Sequence, residues 1–78
     1  MEMLEITAQV DARGLSCPMP IVRTAQAAKP LASGAVMEVL ATDPGSVKDF
    51  TAWCRSTGNT LIEQTSDGAV YRFVIRRK

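Results

Sequence analysis

Histidine is absent from this 78-residue chain. That absence removes the usual base of a cysteine nucleophile and the commonest nitrogen ligand of a metal site. Cysteine occurs only twice, at Cys17 and Cys54, far apart and without CxxC spacing. No zinc site is expected, and a dithiol redox enzyme is the weakest functional reading. Such an enzyme would need a stable Cys17–Cys54 disulfide, which the core position expected for Cys54 opposes. Charge of one sign is also lacking: the formal net charge is +1. Nucleic-acid binding driven by bulk charge is therefore not expected. No apolar run approaches the roughly 20 residues that span a membrane. The start, Met1-Glu2-Met3-Leu4-Glu5, is acidic and has no basic region of a signal peptide. The expectation is a cytoplasmic protein whose thiols stay reduced, with no direct membrane contact.

What is present is an ordinary globular composition, 46% hydrophobic and 22% charged. The length suits one domain, residues 1–78. Leu4, Ile6, Ala8 and Val10 alternate with Glu5, Thr7, Gln9 and Asp11, the period of a half-buried strand. Gly14 breaks the pattern. After Cys17 the period turns helical, with Val22, Ala25 and Ala28 on the apolar side and Arg23, Gln26 and Lys29 on the wet side. Pro18 and Pro20 fit only the first turn of a helix. This places the helix start near Pro18, with Cys17 as N-cap, and Pro30 ends the helix around Lys29.

Val36 to Ala41 is a second strand, with the nearly all-apolar composition of a central strand covered on both faces. Asp43-Pro44-Gly45-Ser46 leads into a second helix, Ser46 and Asp49 resemble a capping box, and Gly58 is the C-cap. Phe50, Trp53 and Cys54 share its apolar face. Leu61 to Thr65 is a third strand, Asp67-Gly68 a hairpin turn and Val70 to Arg77 a fourth strand. The order β-α-β-α-β-β implies an α/β (α+β) two-layer sandwich. A mixed four-stranded sheet carries both helices on one face.

The chemistry centres on Cys17. At a helix N-terminus the partial positive charge of the peptide dipoles favours a thiolate and lowers the thiol pKa. A persulfide is more acidic than a thiol and would benefit similarly. Pro20 offers no N–H, so only Met19 and Ile21 remain as amide donors to the sulfur. The corner is thus stiff and modestly activating, suited to a sulfur handed between proteins. Against this stands simple packing, the common fate of a free cysteine.

Leu15-Ser16-Cys17-Pro18-Met19-Pro20, preceded by Asp11 and Gly14, closely resembles the CPxP signature of the TusA/SirA-like sulfur-carrier family. The likeness continues through Thr42-Asp43-Pro44-Gly45-Ser46, Trp53-Cys54-Arg55-Ser56-Thr57-Gly58 and the basic C-terminal hairpin. It implies a two-layer α/β sandwich and a persulfide on Cys17, taken from a donor such as a cysteine desulfurase or a rhodanese-type enzyme. The sulfur then passes to an acceptor protein in tRNA thiolation, molybdenum-cofactor maturation or other sulfur metabolism. The resemblance further implies that Pro18 and Pro20 shape the helix start and that Asp11 and Gly14 fix the approach loop. The exchange needs no cofactor, and a monomer is expected, since a carrier must expose its sulfur to successive partners.

Met19 lies beside Cys17 as a small apolar contact for a partner. Arg13 and Arg23 are candidates for attracting an acidic partner or steadying a persulfide anion. Cys54 is read as a buried small residue rather than a resolving thiol, and Trp53 as core. Arg72, Arg76, Arg77 and Lys78 form a basic end, either a docking surface or a charge-guarded strand edge. A different class of function is a regulatory or interaction module that uses the CPxP corner as a docking motif without sulfur transfer.

Overall fold

The computed structural model describes residues 5–78. Met3 and Leu4, the latter the first member of the alternating apolar face, lie outside the described residues. Strand β1 is Ile6–Ala12, with Val10 and Ala12 buried and Thr7, Gln9 and Asp11 exposed. Helix α1 follows over Met19–Ala28, then strand β2 over Val36–Ala41 and helix α2 over Ser46–Thr57. Strands β3, Thr60–Asp67, and β4, Val70–Arg76, complete the chain.

The four strands form one mixed sheet in the order β1-β2-β4-β3. β1 pairs parallel with β2, which the α1 crossover requires. β4 runs antiparallel to both β2 and β3. Met37, Val39, Ala41, Phe73 and Ile75 of the two central strands are fully buried and meet Ala28 of α1 and Phe50 and Cys54 of α2. Phe50 stacks on Phe73 at 4.5 Å between ring centroids and meets Trp53 edge-on at 6.3 Å. Two of the few aromatic rings therefore form the joint between α2 and the sheet.

Four details differ from expectation, each for a physical reason. β2 is central, yet helices cover only one of its faces. The opposite face carries a polar row with one residue from each strand: Gln9 donates to Glu38 (3.1 Å), and Arg72 bridges Glu38 (2.6 Å) and Glu63 (3.5 Å). Val36 and Val74 are buried on that face. α1 packs through Pro20, Thr24 and Ala28, a row four residues apart, whereas Val22 stays 39% exposed. Thr24 belongs inside because its hydroxyl donates to the Pro20 carbonyl at 2.8 Å, leaving no orphaned polar atom.

β3 is longer than its weak alternation suggests, because its pairing with β4 shifts register between Leu61 and Glu63. The hairpin turn lies one residue later than expected, at Gly68-Ala69, with Asp67 paired to Val70. Gly68 takes φ +64°, the conformation that a first turn position in a tight hairpin demands.

Candidate functional site

Parallel pairing of β1 and β2 sets Ala12 beside Ala41, so both strands end at the same edge of the sheet. Both helices therefore start there. The loop from Arg13 to Pro18 and the loop from Thr42 to Gly45 lie side by side, and the candidate site is built between them.

Asp11 organises the first loop. Its carboxylate accepts the Arg13 amide (3.1 Å) and the Arg13 guanidinium through two bonds (2.9 and 3.0 Å), while its carbonyl accepts from Arg23 (3.2 Å). Gly14 turns the chain at φ +80° and donates its amide to Thr42 Oγ1 at 2.9 Å, tying this loop to its neighbour. A Cβ at Gly14 would meet no neighbour; the left-handed backbone is what calls for glycine. Arg13 and Arg23 are both committed to Asp11, so neither is directed at the sulfur.

Arg13 donation, side chain first and amide second, holds the Asp11 carboxyl down at about 2 from 3.8. A depressed carboxyl adds loop stability that is present above its ordinary value and lost as the pH falls through about 2. A carbon-13 titration of the Asp11 carboxyl is expected to find its midpoint near 2, with Arg13→Ala moving it back up toward 3.8. An unchanged midpoint in Arg13→Ala would contradict the clamp.

Cys17 is exposed on the tip of α1. The N-cap is Pro18 and the helix begins at Met19, one residue later than expected, so Cys17 stands just outside the cap. The Cys17–Pro18 peptide bond is cis. The Met19 amide donates to the Ser16 carbonyl (2.9 Å) and the Val22 amide to the Pro18 carbonyl (3.1 Å). No side-chain cap bond forms at α1, so the expected amide donors do not serve the sulfur. Met19, 46% exposed, and Val22, 39% exposed, are large apolar side chains left open on α1, and Pro18 is exposed as well while Pro20 is buried.

The sulfur instead faces acid. Cys17 Sγ donates to Asp49 Oδ2 across 2.6 Å. The thiol pKa is raised, first by that bond, then by desolvation and by the charges of Asp49 and Asp43. The expected lowering by the helix dipole is thereby reversed. A full carboxylate charge in contact outweighs the half charge of a helix terminus. Asp49 is not the far end of a capping box either. The α2 N-cap is Gly45 without a side-chain cap bond, and Ser46 is the first helical residue. Asp43 supplies the local turn, accepting the Gly45 amide at 3.0 Å. The contact between Cys17 and Asp49 joins residues 32 apart. Local spacing carries no trace of it; only the parallel pairing of β1 and β2 foreshadows that the two helix starts meet.

Cys54 is 3% exposed in the core, and burial pushes its thiol up to about 11. The basic end is dispersed. Arg72 belongs to the polar row, Arg77 donates to the Ala28 carbonyl at the end of α1 (2.8 Å), and Lys78 donates its amide to Asn59 (2.9 Å). Among the described residues no cluster of acidic, cysteine or histidine side chains has metal-binding geometry, and no helix is long and apolar enough to cross a membrane.

These features define a small two-layer α/β protein that presents one thiol at a CPxP corner, in view of solvent. The chain belongs to the family described as sulfurtransferase TusA, whose family model matches residues 8–77. It is 44% identical over 75 residues to the sulfur carrier protein TusA of Allochromatium vinosum, covering 96% of this chain and 99% of that one. It is 52% identical over 68 residues to the putative sulfur carrier protein YrkI of Bacillus subtilis, covering 87% and 91%. The crystal structure of a SirA-like protein from Desulfitobacterium hafniense superposes with a TM-score of 0.79 at 26% identity, covering 90% of this chain and 96% of that one.

Proposed function

We propose that this chain is a sulfur carrier whose Cys17 accepts sulfane sulfur from a donor persulfide and relays it to an acceptor protein. The observation that carries the reading is an exposed thiol at the CPxP corner of a chain whose relatives are named sulfur carriers. Cys17 Sγ attacks the outer sulfur of the donor, and the donor thiol departs. The carrier now holds Cys17–S–SH. An acceptor nucleophile then attacks that outer sulfur and regenerates the Cys17 thiol. This is exchange between sulfur atoms, and it uses neither metal nor cofactor.

Cysteine desulfurases and rhodanese-type enzymes are the donors of the right chemistry. Acceptors lie in tRNA thiolation, molybdenum-cofactor maturation or related sulfur metabolism. The reaction belongs in the cytoplasm, where thiols stay reduced. The 78 residues act as one carrier domain and as a monomer, so that successive partners reach the same sulfur. Asp11 and Gly14 hold the loop, Pro18 and Pro20 shape the corner, and Met19 with Val22 supplies an apolar docking contact.

Incubation with a cysteine desulfurase and cysteine, followed by peptide mass spectrometry, tests this. One added sulfur atom is expected on the peptide that contains Cys17. Sulfur found only on Cys54, or on neither cysteine, would overturn the reading.

A further inference from the structure

Cys17 has no histidine to take its proton, and the structure sets a carboxylate in that place. We propose that Asp49 is the proton-transfer partner of Cys17, taking the thiol proton as Cys17 attacks a donor and returning it when an acceptor releases Cys17. This deepens the sulfur-carrier reading and rests on it.

Geometry comes first. Cys17 Sγ and Asp49 Oδ2 are 2.6 Å apart, within direct proton-transfer reach. Among the described residues the Asp49 carboxylate accepts no other side-chain hydrogen bond, so it is free to serve the sulfur. Its position is held by the helix. The Asp49 amide donates to the Gly45 carbonyl (3.0 Å), and the next residue, Phe50, is fully buried against Phe73. The charges that act on the sulfur are the carboxylates of Asp49 and Asp43. On the facing loop and helix, Arg13 and Arg23 are both bound to Asp11.

The consequence for reactivity follows from this setting. Two carboxylates leave little free thiolate at neutral pH, so attack on a donor must coincide with removal of the proton. A thiol of higher pKa is also the better nucleophile once deprotonated. At rest the retained proton protects the exposed sulfur, since the thiolate is the form that oxidises.

The step balances as Cys17–SH + R–S–SH giving Cys17–S–SH + R–SH. A bond forms between Cys17 Sγ and the outer sulfur. The donor S–S bond breaks, and its electron pair stays on the donor sulfur. The proton passes from Cys17 through Asp49 to the departing thiolate. The sulfane sulfur changes owner, with no net oxidation. Release to an acceptor thiol runs the same sequence with the roles exchanged, and Asp49 then protonates Cys17 as it leaves.

The test compares two reactions of Cys17 in the full chain: single-turnover loading from a desulfurase persulfide, and alkylation by iodoacetamide, which needs no proton acceptor beyond solvent. Asp49→Asn is expected to slow loading about 100-fold. The same variant is expected to alkylate faster, because the charge that held the proton is gone. Asp49→Glu is expected to recover most of the loading rate.

Loading by Asp49→Asn at the wild-type rate or faster would overturn the proposal. So would a parallel fall of both reactions, which is the mark of a purely structural role. The wild-type pH profiles give a measurement free of any folding defect. Loading is expected to reach its plateau at a lower pH than alkylation does, and coincident curves would overturn the proposal. Wild-type protein that takes no sulfur at any pH would sink the carrier reading itself. Wild-type loading beside an indifferent Asp49→Asn variant would sink this inference alone.

Discussion

Phe50→Ala is expected to lower the unfolding free energy by about 3–5 kcal/mol. Phe50 is 0% exposed, stacked on Phe73 and met edge-on by Trp53. Its removal loses the transfer free energy of the ring and leaves a cavity between α2 and the sheet. It also loses two aromatic contacts, worth about 0.5–1.5 kcal/mol each. Neighbours offer little to refill the space: Phe73, Met37 and Val39 are themselves fully buried and already packed. A chain of 78 residues has about 4–12 kcal/mol of stability in total, so this one change removes a large share of it.

Urea denaturation followed by far-ultraviolet circular dichroism measures the effect. Met19→Ala is the comparison, because Met19 is 46% exposed and its loss is expected to fall within about 0.5 kcal/mol. A Phe50→Ala midpoint no lower than that of Met19→Ala would refute the packing account. Function is coupled to this joint. Asp49 precedes Phe50 on α2, so a helix loosened from the sheet also carries the carboxylate away from Cys17.

Much of the architecture was legible because local patterns and tertiary packing agree. The alternation of β1 from Ile6 onward holds residue by residue, and in β4 Phe73 and Ile75 face the helices while Val74 is buried on the other face. Gly58 caps α2 at φ +79°, with its amide bonded to the Cys54 carbonyl. The order of elements and their one-sided helices followed from the need for a crossover between parallel strands.

What local patterns missed lies where polar atoms find distant or unusual partners. Val22 looks like core by hydropathy, yet it stays exposed, while Thr24 is buried with its hydroxyl bonded to the Pro20 carbonyl. At the site, the CPxP corner was readable, since prolines announce a helix start. The electrostatics there were not. Helix-dipole reasoning uses only the local chain, and the deciding charge comes from Asp49, 32 residues away. Arg13 and Arg23 were plausible anion partners by proximity in sequence. Asp11, nearer still, takes both.

Cys17→Ser is expected to abolish sulfur loading completely while leaving the fold unchanged. Serine is close to cysteine in size, and its hydroxyl retains a donor for Asp49, so the corner keeps its shape. Oxygen does not take up sulfane sulfur to form a persulfide, so the carrier state cannot exist in the variant. Cys54 is not a substitute. It is 3% exposed, and its thiol is pushed up to about 11 by burial, so it is neither reachable nor ionised at neutral pH.

The variant treated with a desulfurase and cysteine should therefore show no added sulfur on any peptide. In a cell that depends on this protein, it should fail to complement. The interaction-module alternative expects the opposite pattern. There, Cys17→Ser complements and Pro18→Ala, which alters an exposed docking corner, does not. For a carrier the ranking reverses, because Pro18→Ala keeps the thiol and retains measurable loading. Complementation by Cys17→Ser, or sulfur appearing on Cys54 in its absence, would refute Cys17 as the site that carries the sulfur.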